Sequence, residues 1–167
     1  MDKIINNHFG ADIRKKKVRT ALEALQNLNE NNVNIIILPY PNKDNYWWVN
    51  FKNFENIFVI GSISENYNEV PQALILGKQN IEYAAKNIVL VTLEIQSKNV
   101  KKYSSFLLLK NYSIVAEKII ENGKSKIIFS TTVSSKEEIE DKIKSIENNK
   151  FNLEESPKIM GAYAVFK

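Results

Sequence analysis

The chain has 167 residues and no cysteine. Disulfides and thiolate-held metals are therefore excluded, and a reducing compartment such as the cytoplasm is permitted. Histidine occurs once, at His8. No histidine triad or histidine metal cluster can be assembled from it, and no metal or cofactor site is expected. Glycine is scarce, with five residues, and proline scarcer, with four. Gly61 and Gly77 stand alone, outside any G-x-G-x-x-G or Walker-type loop, so no nucleotide-phosphate cradle is read. The apolar runs are too short to span a bilayer. Residues 1–8 hold no long apolar core or small-residue cleavage site, so no signal peptide is expected. The net charge of +4 is mild and demands no anionic partner.

What is present is length enough for a buried core without staples, ordered into two halves. In the first, Ala11 to Asn29 has helical spacing, with Val18, Ala21, Leu22, Leu25 and Leu28 on one face. Asn31 and Asn32 end it. Val33 to Leu38 is strand-like and nearly all apolar, as when both faces are covered. Pro39 stops it. Asp44 to Lys52 fits a short helix, and Asn56 to Ile63 and Ala73 to Lys78 fit strands. A small α/β lobe over 1–80 is expected, with Gln79 to Lys86 as a link.

The second half, 87–167, reads as strand, helix, strand, strand, helix, strand. The runs are Ile88 to Ile95, Val100 to Lys110, Tyr112 to Ile120, Lys126 to Val133, Lys136 to Asn148 and Lys158 to Phe166. Ser135 with Glu138 fits a capping box. Glu121, Asn122 and Gly123 fit a hairpin turn. Phe106 to Leu109 fits strand as well as helix. The order is the split βαβ arrangement of ferredoxin-like domains. The fold class is therefore α/β (α+β), a small lobe followed by a βαββαβ unit with a four-stranded antiparallel sheet and two helices on one face.

Several motifs have bland readings. Arg14 to Lys17 with Arg19 reads as the solvated basic face of a helix rather than a phosphate grip. Trp47 and Trp48, beside Tyr46 and Phe51, place one indole in the core and one at a partner surface. Glu137, Glu138, Glu140 and Asp141 form an exposed helix face. No aromatic pair lies on a strand beside a basic stripe, so nucleic-acid binding ranks third.

Lys158-Ile159-Met160-Gly161-Ala162-Tyr163 resembles the "v-k-v-L-G-s-Y-p" ending of the ACT domain in prephenate dehydratases. Ala73 to Gly77 resembles the end of that family's catalytic domain, and Leu38 to Asn42 resembles its "v-P-i-E-N" segment. Asn7 to Gly10, Leu38 to Pro41 and Trp47-Trp48 together resemble a region that follows the helical chorismate mutase domain in some bacterial aromatic-pathway proteins. The resemblance covers most of the chain as short islands in the family's order.

The departures argue against catalysis. The family's Thr-Arg-Phe motif is replaced by Glu69-Val70-Pro71-Gln72, the Glu of "P-i-E-N" is Pro41, and the helical mutase domain is missing. Dehydration needs an acid for the leaving hydroxyl, and none is marked, so no catalytic residue is assigned. The turn Gln96 to Val100 lacks the glycine usual where ACT domains bind amino acids, and the family's "E-S-R-P" is replaced by Glu117 to Ile120. The resemblance implies a noncatalytic regulatory or accessory module of phenylalanine biosynthesis, cytoplasmic and homodimeric. It would bind an amino acid or prephenate-like molecule, or a separate chorismate mutase, without nucleic acid or membrane. Ser97, Lys98, Asn99 and Asn42 are the ligand candidates. The alternative is a divergent prephenate dehydratase active as an oligomer.

Overall fold

The structure is a computed structural model that describes residues 2–10, 13–65, 70–148 and 153–165. Four α-helices and seven strands alternate along these residues: α1 (Asp2–Phe9), α2 (Ala21–Asn29), β1 (Ile35–Pro39), β2 (Phe58–Ile63), β3 (Ala73–Gly77), β4 (Asn87–Gln96), α3 (Val100–Leu109), β5 (Ser113–Ile119), β6 (Lys124–Val133), α4 (Lys136–Glu147) and β7 (Leu153–Ala164). A 3-10 helix, Trp47–Asn53, lies between β1 and β2. No helix among the described residues is long and apolar enough to cross a membrane.

All seven strands form one sheet, in the order β1-β3-β2-β7-β4-β6-β5. Its last four members are mutually antiparallel and follow the split βαβ order expected from the second half. The expected four-stranded sheet is thus part of a larger one. Along β4, Val89, Val91, Leu93 and Ile95 face α3 and α4, where they pack with Tyr103, Leu107, Ile139 and Ile146. Leu90 faces the other way, into a second core with Leu25, Trp48, Phe51, Ile128 and Met160. Period-two alternation with both faces covered explains why the strand reads as an unbroken apolar run. Over the first three strands α2 covers one face. Ile5 and Phe9 of α1 cover the other, against Ile63, Ala73 and Ile75.

Helix ends are set by side chains near them. Ala11 to Asn29 is not one helix: residues 11 and 12 lie outside the described residues, 13–20 are not helical, and α2 starts at Ala21. The Thr20 hydroxyl accepts from the Glu23 N–H at 3.1 Å, and the Glu23 carboxylate accepts from the Arg19 N–H at 3.0 Å. This local cap fixes the start, and the like charges of Arg14 to Lys17 stay outside the helix. At the other end Asn31 adopts φ +61°, with Asn32 N–H donating to Asn27 O and Asn31 N–H to Leu28 O. Helix α3 ends the same way at Asn111, with Tyr112 N–H donating to Leu107 O and Asn111 N–H to Leu108 O. Both are Schellman caps with asparagine in the left-handed position. The hairpin between β5 and β6 puts Asn122 and Gly123 at φ +62° and +70°, as a type I′ turn requires. The α4 cap forms with Ser135 accepting from the Glu138 N–H. The Glu138 carboxylate returns to the Ser134 N–H, which holds it below the usual carboxylate range. That contribution is present at neutral pH and is lost as acid protonates the carboxylate.

Both Trp47 and Trp48 are buried, so neither is left for a partner surface. Their indole N–H groups donate to Pro39 O and Asn45 O at 2.9 and 3.1 Å, which makes full burial tolerable.

The two halves meet where β2 runs parallel to β7, with Val59 opposite Gly161. Gly161 has φ +143°, and a Cβ there would lie 2.1 Å from Val59 O and 2.4 Å from Val59 N. Only glycine fits. Gly161→Ala is expected to cost about 3 kcal/mol or more by urea denaturation. Gly123→Ala, at a site with nothing within 4 Å, should cost about 1 kcal/mol. Equal losses at the two positions would contradict the junction described.

Candidate ligand-binding site

Two of the concavities among the described residues lie against the sheet. The larger, of about 740 Å³, begins at the end of β1. Pro39 closes that edge strand, and Tyr40 N–H donates to Gln72 O at 3.0 Å, tying two loops into one wall. The Asn42 side-chain Oδ1 accepts from the Asp44 and Asn45 backbone N–H groups at 2.7 and 3.1 Å, and the Asn45 Nδ2 donates to Tyr40 O at 2.9 Å. Opposite stand Ser113 to Val115 of β5 and Ser130 of β6, with Tyr163 of β7 between the walls. The Tyr40 and Tyr163 phenols are neighbours in the groove. Burial pushes both phenols up, Tyr163 further because Tyr40 is its neighbour, so both stay protonated. No Asp, Glu, Lys, Arg or His lines the groove among the described residues.

The "P-i-E-N"-like segment and the strand-preceding Val70-Pro71-Gln72 thus converge on one groove, although the family's acidic and Thr-Arg-Phe positions carry no acid or cation in the described part. Glu69 lies outside the described residues. Asn42 does line the groove, but its side-chain Oδ1 is spent on the turn.

The smaller cavity, of about 430 Å³, lies beside the β4–α3 turn. Ser97 N–H donates to Gly123 O at 2.8 Å, and the Ser97 and Ser125 hydroxyls are 2.8 Å apart. Lys101, Glu117 and Lys118 add both signs of charge to the lining. The Lys118 ammonium also sits 3.9 Å from the centre of the Tyr46 ring. Of the turn residues expected to hold a ligand, Ser97 lines this cavity. Lys98 is exposed, and Lys98 and Asn99 do not line it; Asn42 belongs to the other groove. Sequence reasoning missed Lys101, Glu117 and Ser125. The helical i to i+4 step from Ser97 to Lys101 was a usable signal; the strand neighbours were not visible without the register.

A third cluster looks catalytic but holds the fold. Glu94 is buried, with Lys124 at 3.1 Å, Lys52 at 3.7 Å and Lys126 at 4.0 Å. Lys126 is also buried, and its ammonium donates to Val49 O at 2.6 Å. Lys158 donates to Lys52 O at 3.2 Å. Burial, then the nearby Lys52 charge, lowers the affinity of Lys126 for its proton. These ammonium groups meet carbonyls of the 3-10 helix and bind it to the sheet. No concavity opens on Glu94 in either lining described above.

No protein-family model matches the chain, and no curated protein matches it. Solved structures do. The chain is similar to one described as "GqqA- a novel type of quorum quenching acylases", with a TM-score of 0.72, 9% identity, and coverage of 99% of this chain and 89% of that one. It is similar also to prephenate dehydratase from Streptococcus mutans, with a TM-score of 0.59, 15% identity, and coverage of 90% and 85%. These likenesses show a shared fold, and a distant fold-level relation to prephenate dehydratase is established.

Removing the Glu94 carboxylate leaves buried Lys126 without its counter-charge. Glu94→Ala is expected to lower stability by roughly 3 kcal/mol in urea denaturation, more than Glu140→Ala on the exposed α4 face. A midpoint unchanged from the parent chain would show the network to be solvated instead.

Proposed function

We propose that the chain is a noncatalytic regulatory or accessory module related to prephenate dehydratase, serving phenylalanine biosynthesis, and that it binds an amino acid beside the β4–α3 turn. The observation that carries this reading is the composition of the smaller cavity. Lys101 offers a cation for a carboxylate, Glu117 an anion for an ammonium, and Ser97 and Ser125 hydroxyls to orient both. The split βαβ topology and the Gly161-Ala162-Tyr163 ending support an ACT-like identity for 87–167. Lys98 and Asn99 flank the site and are assigned to its rim.

The larger groove supports the noncatalytic part of the reading. Prephenate carries two carboxylates, and the described lining offers them no cation, so their desolvation would be uncompensated. Acyl transfer is no better served. Ser113 and Ser130 supply hydroxyls, but no imidazole or carboxylate stands beside them in that lining.

Homodimer formation fits the same half. β5 is an edge strand, and Ile119, Leu108 and Leu109 are exposed at 73%, 58% and 82%. A divergent dehydratase complete only as an oligomer is the competing reading, favoured by coverage of 85% of the S. mutans enzyme chain.

Phenylalanine, or another aromatic amino acid, should raise the melting temperature in a thermal-shift screen that includes tyrosine, tryptophan, prephenate and chorismate. Lys101→Ala should abolish the shift, while prephenate should not be converted to phenylpyruvate above background. Turnover of prephenate would favour the enzyme. Absence of any shift across the panel would leave a scaffold role. A monomer in sedimentation at high concentration would remove the pairing surface.

A further inference from the structure

We propose that the larger groove is a second ligand site, selective for an uncharged small molecule that presents a carbonyl or ether oxygen on an apolar body. It shares no lining residue with the cavity beside Ser97, so it goes beyond the amino acid reading. Three observations carry it.

The first is the wall. The chain has four prolines, and three of them, Pro39, Pro41 and Pro71, line this one groove. Proline has a fixed φ and no N–H, so these walls are rigid and leave few backbone donors facing the ligand. Preformed apolar walls lower the ordering cost of binding.

The second is the absence of charge. A quarter of the residues are charged, yet none of the described lining is. An ion entering the groove would lose water and gain no counter-ion from the described lining, which disfavours anionic and cationic ligands alike. The amino acid cavity has the opposite chemistry, and the two sites would sort ligands by charge.

The third is the phenol pair. Tyr163 is 5% exposed, and Tyr40 is half-buried above it. Each phenol carries one hydroxyl hydrogen, and that of the half-buried Tyr40 is a donor at the groove wall. That donor meets a ligand acceptor in an apolar setting, where an unmade hydrogen bond is costly. Ser113 and Ser130, opposite each other in the β5–β6 register, supply further hydroxyls at the far wall.

The test uses phenylacetamide and phenylacetate, which share a ring and differ in charge. Two-dimensional amide NMR of the full chain resolves where each binds. Phenylacetamide at millimolar concentration should shift the amides of Tyr40, Gln72, Ser113 and Tyr163, whereas phenylacetate should leave them in place. Tyr40→Phe keeps the ring and removes the hydroxyl; it should weaken phenylacetamide binding about tenfold. The dispersed spectrum of the variant verifies its fold. Equal shifts from the two compounds, or shifts from phenylacetate alone, would overturn the charge selectivity. No shift of the groove amides by phenylacetamide would overturn the site. Shifts confined to Ser97 and Lys101 would assign binding to the other cavity and also overturn it, without bearing on whether phenylalanine binds there.

Discussion

The approach of Gly161 to the backbone of Val59 is the contact on which the continuous sheet depends. Each half could bury one face of its strands alone. What makes one sheet of seven strands is the parallel seating of β2 against β7, and a side chain at 161 would collide with backbone on that line. The glycine of the Gly161-Ala162-Tyr163 ending therefore has a steric explanation inside this chain. The residues on either side of it serve the adjoining cores. Met160 and Tyr163 pack toward the 3-10 helix and Ala162 toward α3 and α4.

Charge is distributed with the same economy. The buried Glu94 and its lysines fasten the 3-10 helix, whose Trp48 and Phe51 fill the core beneath it. The exposed acidic face of α4 is paired within itself, Lys136 with Glu140 and Glu138 with Lys142. Of the two concavities described, one carries both signs of charge and the other, among the described residues, none. That contrast separates the two sites more firmly than their volumes do.

Much of the fold was legible in the residues. The elements of the second half fell within a few positions of their expected bounds, because both periodicity and caps were local: Ser135 with Glu138, Asn122 with Gly123, the alternation along β4. The Phe106 to Leu109 ambiguity resolved as helix, with Leu107 turned into the core. Three things were not legible. The start of α2 depends on Thr20 and Glu23, a capping pair hidden inside a longer run of good helical spacing. Asn111, unlike Asn31 and Asn122, carried no signal, yet it too takes a left-handed turn that glycine commonly fills. The sites could not be assembled because their walls come from segments far apart in the chain. Pro41 and Pro71 meet Ser113 and Tyr163 only through strand register, and Ser97 meets Ser125 across β4 and β6.

The place of β7 has a consequence for how the chain reaches this state. It is the last strand in chain order and the middle strand of the sheet. Until it is made, β2 and β4 each present an open edge, on β1–β3 and on β4–β6 respectively, and such edges recruit other strands. Closing the sheet then joins residues about a hundred positions apart, a slow, non-local step. During synthesis on the ribosome the two partial sheets must wait for their central strand, and a chain stalled before Leu153 would carry two adhesive edges into the cell.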